Sequence, residues 1–218
     1  MGNRHYFRDR HDAGTRLAAL LMARGLIDSE TTIIGLLRGG MPIAARIAIA
    51  ANARLGALAV RKLGFPSEPE LALGAIATYS HTNARYINEK LRTSAIRQDG
   101  EHAIVRTIED AQKQLAVLAD RFANYMPSIM RQTVIVCDDG LATGATMYAA
   151  IQILEDLGAQ LLIIAVPVAP AYLVSEFATR GIKVICLITP ADFTAVGAYY
   201  GDFSQVNESE ILALLASL

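Results

Sequence analysis

Val134-Ile135-Val136-Cys137-Asp138-Asp139-Gly140-Leu141-Ala142-Thr143-Gly144-Ala145-Thr146 is the most informative stretch of this chain. Four apolar residues read as a buried strand, which delivers two adjacent carboxylates to its carboxyl end. A loop of small residues then turns directly into a helix over 145–157 that Gly158 closes. Such a loop gathers several backbone N–H groups and the hydroxyls of Thr143 and Thr146 at a helix N-terminus, which is a phosphate cradle by geometry and dipole. Two acids beside a phosphate normally repel it. They make sense if Asp138 and Asp139 hold sugar hydroxyls, or organise a hydrated Mg²⁺ a short distance away. The plain alternative is a strand-to-helix turn with acidic capping residues.

Working outward, the downstream half is regular: a strand over 161–168, a helix over 171–180 ended by Gly181, and a strand over 183–188. Upstream, an amphipathic helix over 12–24 ends at Gly25, and a strand over 32–37 runs into Arg38-Gly39-Gly40. Pro42 opens the next helix where proline's missing N–H costs nothing, and a short strand over 57–60 leads to Arg61-Lys62. Strands alternating with helices imply an α/β domain: a parallel sheet of about five core strands flanked by helices. Leu37, Val60, Cys137, Val168 and Ile188 should lie near the carboxyl ends of those strands, where ligands collect on such sheets.

Residues 63–99 break this rhythm. Gly64, Pro66 and Pro69 make a loop, 71–78 reads as a strand, and Asn83 and Asn88 suggest turns, so mobile or irregular structure is expected there. Between Ile104 and Tyr125 apolar residues recur at alternating spacings of four and three, the mark of a long helix whose narrow seam suits its own domain or a homodimer. Residues 190–205, with Phe193, Tyr199, Tyr200 and Phe203, form a small C-terminal hood over the strand ends. A last helix follows with Asn207 as N-cap and Glu210 three residues later. No repeat or clear linker divides the 218 residues, which read as one domain.

Composition narrows the function classes. With 53% apolar types and only 6% aromatics, the core must be filled by Ala, Leu, Ile and Val. A net charge of −1 gives no basic stripe to displace counterions from a nucleic acid or an anionic membrane, so any polyanion bound must be small and locally held. Cys137 and Cys186 sit in apolar runs and read as buried reduced thiols, with no CxxC or Cys/His cluster to suggest a metal. The N-terminal MGNRHYFRDRH is polar, with no apolar leader core, and Tyr6 stands where a myristoylation signal wants Ser or Thr. The uncharged run 157–175 is interrupted by Gly158, Gln160, Pro167 and Pro170, so no membrane span is expected. A cytoplasmic location is the expectation. A Walker A loop is excluded because no Gly-Lys-Ser/Thr occurs, and no GxGxxG follows a strand.

The stretch from Val134 to Thr146 resembles the thirteen-residue 5-phosphoribosyl-1-diphosphate (PRPP) signature of the type I phosphoribosyltransferases. The run from Val60 to Ala75 through Pro69-Glu70, and the tail from Val196 to Val206, look like an uncharacterised bacterial branch of that family. By this resemblance Asp138 and Asp139 would hold the ribose hydroxyls, and Ala142, Thr143, Gly144, Ala145 and Thr146 the 5′-phosphate, with Gly140 and Leu141 completing the loop. The family has a diphosphate loop after its first core strand, a basic residue followed by glycines, and Arg38, Gly39 and Gly40 match that place. Paired glycines let amides approach the leaving diphosphate while Arg38 adds a charge-assisted contact. Related loops carry a cis peptide at the position of Leu37-Arg38. Arg61 and Lys62 precede what in the family is a flexible closing loop. The resemblance thus points to Arg38, Lys62 and Asp139 as catalytic, with Mg²⁺ held by PRPP and water near Asp138 and Asp139 rather than by direct protein ligands. Phosphoribosyltransferases for 6-oxopurines resemble one another in an aspartate where Ala142 stands, which argues against hypoxanthine or guanine as acceptor.

Two readings follow from different classes. As an enzyme, the chain moves the 5-phosphoribosyl group of PRPP to a nitrogenous acceptor with loss of diphosphate. As a binding module, it senses PRPP or a nucleotide without turnover. Arg61 and Lys62 favour the first; the near-neutral charge disfavours a nucleic-acid-binding regulator.

Overall fold

The computed structural model describes residues 6–69 and 71–216. Glu70, part of the resemblance above, lies outside the described residues. The chain packs as two compact units. One contains residues up to Ala57 with 127–142 and 158 onward; the other contains 58–126 and 143–157.

The first unit carries α1 (Arg10–Ala23), β1 (Thr32–Leu36), α2 (Met41–Ala51), β5 (Thr133–Cys137), β6 (Leu161–Val168), α6 (Ala171–Thr179), β7 (Lys183–Ile188) and α7 (Glu208–Ala216). β1, β5, β6 and β7 are parallel neighbours, with Gly35 opposite Cys137, Cys137 opposite Ala165 and Val168 opposite Ile188. The α/β parallel architecture expected from sequence is thus present, and β6 crosses to β7 through the nine-residue helix α6. Every residue of β1 is buried, as are the last four of β5, which is why these strands read as unbroken apolar runs. Leu17 and Leu21 of α1 and Ile43 and Ile47 of α2 close over Ile33, Ile135 and Ile163 in one cluster. Asp9 caps α1 by accepting from Asp12 N at 2.7 Å.

The second unit holds most of β2 (Arg54–Gly64), β3 (Ala72–Tyr79), β4 (Thr82–Ile87), α3 (Glu89–Asp99), α4 (Glu101–Arg121) and α5 (Ala145–Asp156). β2, β3 and β4 form an antiparallel meander. This corrects the expectation of irregular structure over 63–99, whose aperiodic part among the described residues shrinks to 65–69 and Leu71. The strand expected over 71–78 is β3, whereas β4 and α3 bury little, Ala84 and Ala95 being their only fully buried residues, so neither shows an apolar face in the sequence. Both α4 and α5 pack on β3, and Tyr86 of β4 stacks on Tyr148 of α5 at 4.7 Å between centroids. Asn83 sits within β4, and Asn88 caps α3 through its side chain on Leu91 N rather than making a free turn. Along α4 the expected seam is visible in buried Ile104, Ala111 and Leu115, with Phe122 just past its end. In the hydrogen-bonded strand order the sequence is β4-β3-β2-β1-β5-β6-β7. No described helix is long and apolar enough to cross a membrane.

Candidate active site

The register Gly35–Cys137 brings the loops after β1 and β5 to the same edge of the first unit. There the chain leaves β1 through Leu37-Arg38-Gly39-Gly40, with a cis peptide between Leu37 and Arg38 and Gly40 N donating to Leu36 O at 3.0 Å. Asp138 and Asp139 follow β5. The two loops touch: a β-carbon added to Gly39 would collide with Asp139 Oδ2 and lie 2.8 Å from its Cγ, and one on Gly40 would collide with Cys137 O. Only glycines allow this approach. The Arg38 side chain is half-buried and, among the described residues, makes no hydrogen bond or ion pair, which leaves its guanidinium for an outside anion.

The acidic pair is built asymmetrically. Asp138 Oδ1 accepts from Asp139 N at 2.9 Å, which braces the turn. Asp139 Oδ2 accepts from Arg10 Nε at 2.9 Å and lies 2.8 Å from Nη2 of the same guanidinium. Arg10 Nη1 donates to Ser204 O at 2.8 Å, and the guanidinium carbon lies 3.9 Å from the centroid of the Phe203 ring. The Arg10 side chain is only 10% exposed and that of Asp139 16%. Burial pushes the Asp139 carboxyl above the usual carboxylate range, while the Arg10 charge and hydrogen bond pull it back down.

The tail closes over this point. Tyr200 OH donates to Asp139 O at 2.6 Å, and burial together with the nearby Asp139 charge drives its phenol well above its ordinary value. Phe7 N donates to Tyr199 O at 3.0 Å, Gly201 N to Phe7 O at 2.8 Å and Asp202 N to Arg8 O at 2.7 Å, a short ladder between the N-terminal segment and the tail. Phe7, Tyr199 and Tyr200 are buried together with Ala13 and Val168, and Phe193 stacks on Tyr199 at 5.9 Å. Phe193, Tyr199 and Tyr200 of the tail are therefore packing residues, and Phe203 carries Arg10.

Beyond Asp139 the loop is pinned by Leu141 N, which donates to Val168 O at 2.9 Å, and Tyr172 OH reaches Ala142 O at 3.4 Å. In the second unit, Gly144 stands at the N-cap of α5 with φ of 75°. Having no side chain, it caps none of the first-turn amides, so those N–H groups of Ala145 and Thr146 stay available to an anion; Thr143 Oγ1 makes only a long 3.5 Å contact with Ala145 N. Arg61 and Lys62 also lie in the second unit, exposed on β2 opposite Ile76 and Ala75.

The geometry thus unites Arg38, Gly39, Gly40, Asp138, Asp139, Gly140 and Leu141, and adds Arg10, Tyr200 and Phe203. Arg10 was hidden in a polar N-terminal run that reads as a solvated end. Burial drives the Cys137 thiol far above its ordinary value, with the Asp138 charge adding to the rise, so the strand cysteine beside the acids is held in its neutral thiol form.

Comparison with known proteins agrees with this geometry. A family model for the phosphoribosyl transferase domain matches residues 9–185. Two curated Mycobacterium tuberculosis proteins, from strains CDC 1551 and H37Rv, whose names assign them provisionally as phosphoribosyl transferases, are each 40% identical over 216 residues. The match covers 96% of this chain and 46% of each relative, so the chain spans about half the length of the curated relatives it matches. The crystal structure of TT1426 from Thermus thermophilus superposes with a TM-score of 0.75 at 33% identity over 97% of this chain and 98% of that one. The AQ2163 protein of Aquifex aeolicus shares the fold alone, with a TM-score of 0.51 at 12% identity over 82% of this chain and 73% of that one. With its acidic pair set against a glycine loop, and the family model spanning most of its length, this chain belongs to the phosphoribosyl transferase domain family.

Proposed function

We propose that the chain transfers the 5-phosphoribosyl group of PRPP to a nitrogenous acceptor and releases diphosphate. The observation that carries this reading is the contact of the Arg38-Gly39-Gly40 loop with the Asp138-Asp139 pair, which puts an uncommitted cation and two acids at one strand edge. The acids suit ribose hydroxyls; Arg38 and the loop amides suit the diphosphate. The uncapped start of α5, from Ala142 to Thr146, suits the 5′-phosphate, since a helix N-terminus carries about half a positive charge.

In the reaction the bond from the anomeric carbon to diphosphate breaks and a bond from nitrogen forms, through an oxocarbenium-like transition state. Arg38 offsets charge as it accumulates on the leaving group. By the resemblance to the family, exposed Lys62 is assigned to the leaving diphosphate and Arg61 to substrate binding. Asp138 and Asp139 hold the sugar while its anomeric carbon becomes positive. Among the described residues no group of three or more His, Cys, Asp or Glu could hold a metal, and two carboxylates alone suit an ion that keeps most of its water. That donor set fits Mg²⁺ brought by PRPP, where it would neutralise the diphosphate.

The test incubates the protein with PRPP and Mg²⁺, with and without a panel of bases and amines, and follows diphosphate release alongside PRPP binding. Acceptor-dependent release is expected. Binding without release under every acceptor favours a sensor, and absence of both overturns the reading.

A further inference from the structure

We propose that Arg10 is a positioning residue of this site: by occupying Asp139 Oδ2 it presents Asp139 Oδ1 as the single oriented acceptor for a hydroxyl of a phosphorylated pentose. The inference rests on the reading above and names a residue that the acidic signature does not contain.

Both Arg10 nitrogens that reach Asp139 converge on Oδ2, at 2.9 and 2.8 Å. Gly39 backs the same oxygen from the diphosphate loop. Neither Arg10 nitrogen reaches Oδ1, and Oδ1 is not one of the sealed, unpartnered polar atoms among the described residues. A carboxylate gripped at one oxygen cannot rotate without breaking charge-assisted bonds, which fixes the direction of the free oxygen's lone pairs. The guanidinium is itself held by Ser204 O and the Phe203 ring, so the grip is rigid.

Fastening the tail is a weaker explanation of the same contact. The ladder from Phe7 and Arg8 to Tyr199, Gly201 and Asp202, with buried Phe7 and Tyr200, already holds the tail to the N-terminal segment. A largely desolvated ion pair adds little net stability over apolar packing. What it does add is a fixed carboxylate bearing less net charge beside a site for a polyanion. Removing one negative charge there favours an incoming diphosphate.

The experiment compares wild type, Arg10→Met and Arg10→Lys by calorimetric titration with ribose 5-phosphate and its 2-deoxy and 3-deoxy analogues, with thermal melting of each variant. Wild type is expected to prefer ribose 5-phosphate over at least one analogue by about tenfold, the scale of one hydrogen bond to a charged group. Arg10→Met should lower ribose 5-phosphate affinity and flatten that preference to within about twofold, and Arg10→Lys, which keeps one charged donor, should restore part of it. A purely structural arginine would weaken all three sugars equally, so an unchanged preference in folded Arg10→Met overturns the proposal. Should Arg10→Met fail to fold, an Arg10→Lys preference equal to wild type overturns it instead. Wild type binding none of the sugars defeats the phosphopentose reading itself and the role of Arg10 with it, whereas binding with an unchanged preference defeats Arg10 alone.

Discussion

Gly39→Ala should damage the site through a single methyl group. Its carbon would collide with Asp139 Oδ2 and lie 2.8 Å from Cγ, where ordinary contact begins at 3.4 Å, so the carboxylate must retreat by more than about 0.6 Å, Oδ2 setting the larger demand. It has nowhere free to go. Oδ2 is already bonded to Arg10 at 2.9 and 2.8 Å, and Arg10 is pinned by Ser204 and Phe203, so retreat either compresses the pair or breaks it. Overpacking of this kind costs about 1–3 kcal/mol, and loss of one charged hydrogen bond falls in the same range. By either route a cost of about 2 kcal/mol, at about 2–4 °C per kcal/mol for a chain this long, lowers Tm by about 4–8 °C.

The assay is differential scanning calorimetry with PRPP titration on the same samples. PRPP affinity should fall at least about tenfold, because both the amide of residue 39 and the carboxylate of Asp139 are displaced. A variant that melts with wild type and binds PRPP as tightly would refute the tight apposition of the two loops, and with it the argument for glycine at this position.

Gly144→Val places a β-branched residue at φ of 75°, which costs about 1–2 kcal/mol; the protein should remain folded by circular dichroism and lose PRPP binding, and unchanged affinity counts against the 5′-phosphate cradle. Tyr200→Phe removes the 2.6 Å bond to Asp139 O while the ring keeps its neighbours Phe7 and Phe203 at 5.3 and 5.0 Å, so a loss of about 1 kcal/mol is expected in a denaturant titration. No loss would mean that the hydroxyl bond is not made in solution. Lys62→Ala should lower diphosphate release more than PRPP affinity, since a charge acting on the leaving group matters most as that group departs; values equal to wild type in both measurements take Lys62 off the site.

The parallel half of the fold was legible because β1, β5 and β6 are almost wholly buried and its helices end on glycines such as Gly25, Gly158 and Gly181, all with positive φ. Those signals are local, and each strand or helix announces itself within about ten residues. The antiparallel half was legible only in β3, the strand read over 71–78. β4 and α3 each bury a single residue fully, Ala84 and Ala95, so no apolar periodicity marks them. The candidate site divides the same way. Asp138, Asp139, Arg38, Gly39 and Gly40 stand beside strand ends and could be named in advance, whereas the partner of Asp139 comes from 129 residues earlier in a run of charges.

That long-range partner bears on how a chain with a net charge of −1 would hold the polyanion proposed as its substrate. No basic surface is needed if charge is arranged at the ångström scale. Arg38 is left without a side-chain partner among the described residues, and one of the two neighbouring carboxylates is neutralised from behind by Arg10. Each device shifts its local balance by a fraction of a charge to one charge, and partly buried charges are screened far less by salt than exposed ones. The second carboxylate then serves geometry more than charge: it can accept from a sugar hydroxyl without repelling the phosphate beside it. On that account Asp139→Asn should disturb anion affinity less than sugar selectivity, because the amide keeps an acceptor oxygen but cannot keep the Arg10 grip that aims it. Titrating the variant with inorganic diphosphate and with ribose 5-phosphate and its deoxy analogues separates the two effects. A variant that loses diphosphate affinity while keeping the wild-type preference among sugars would show that the carboxylate acts through its charge after all.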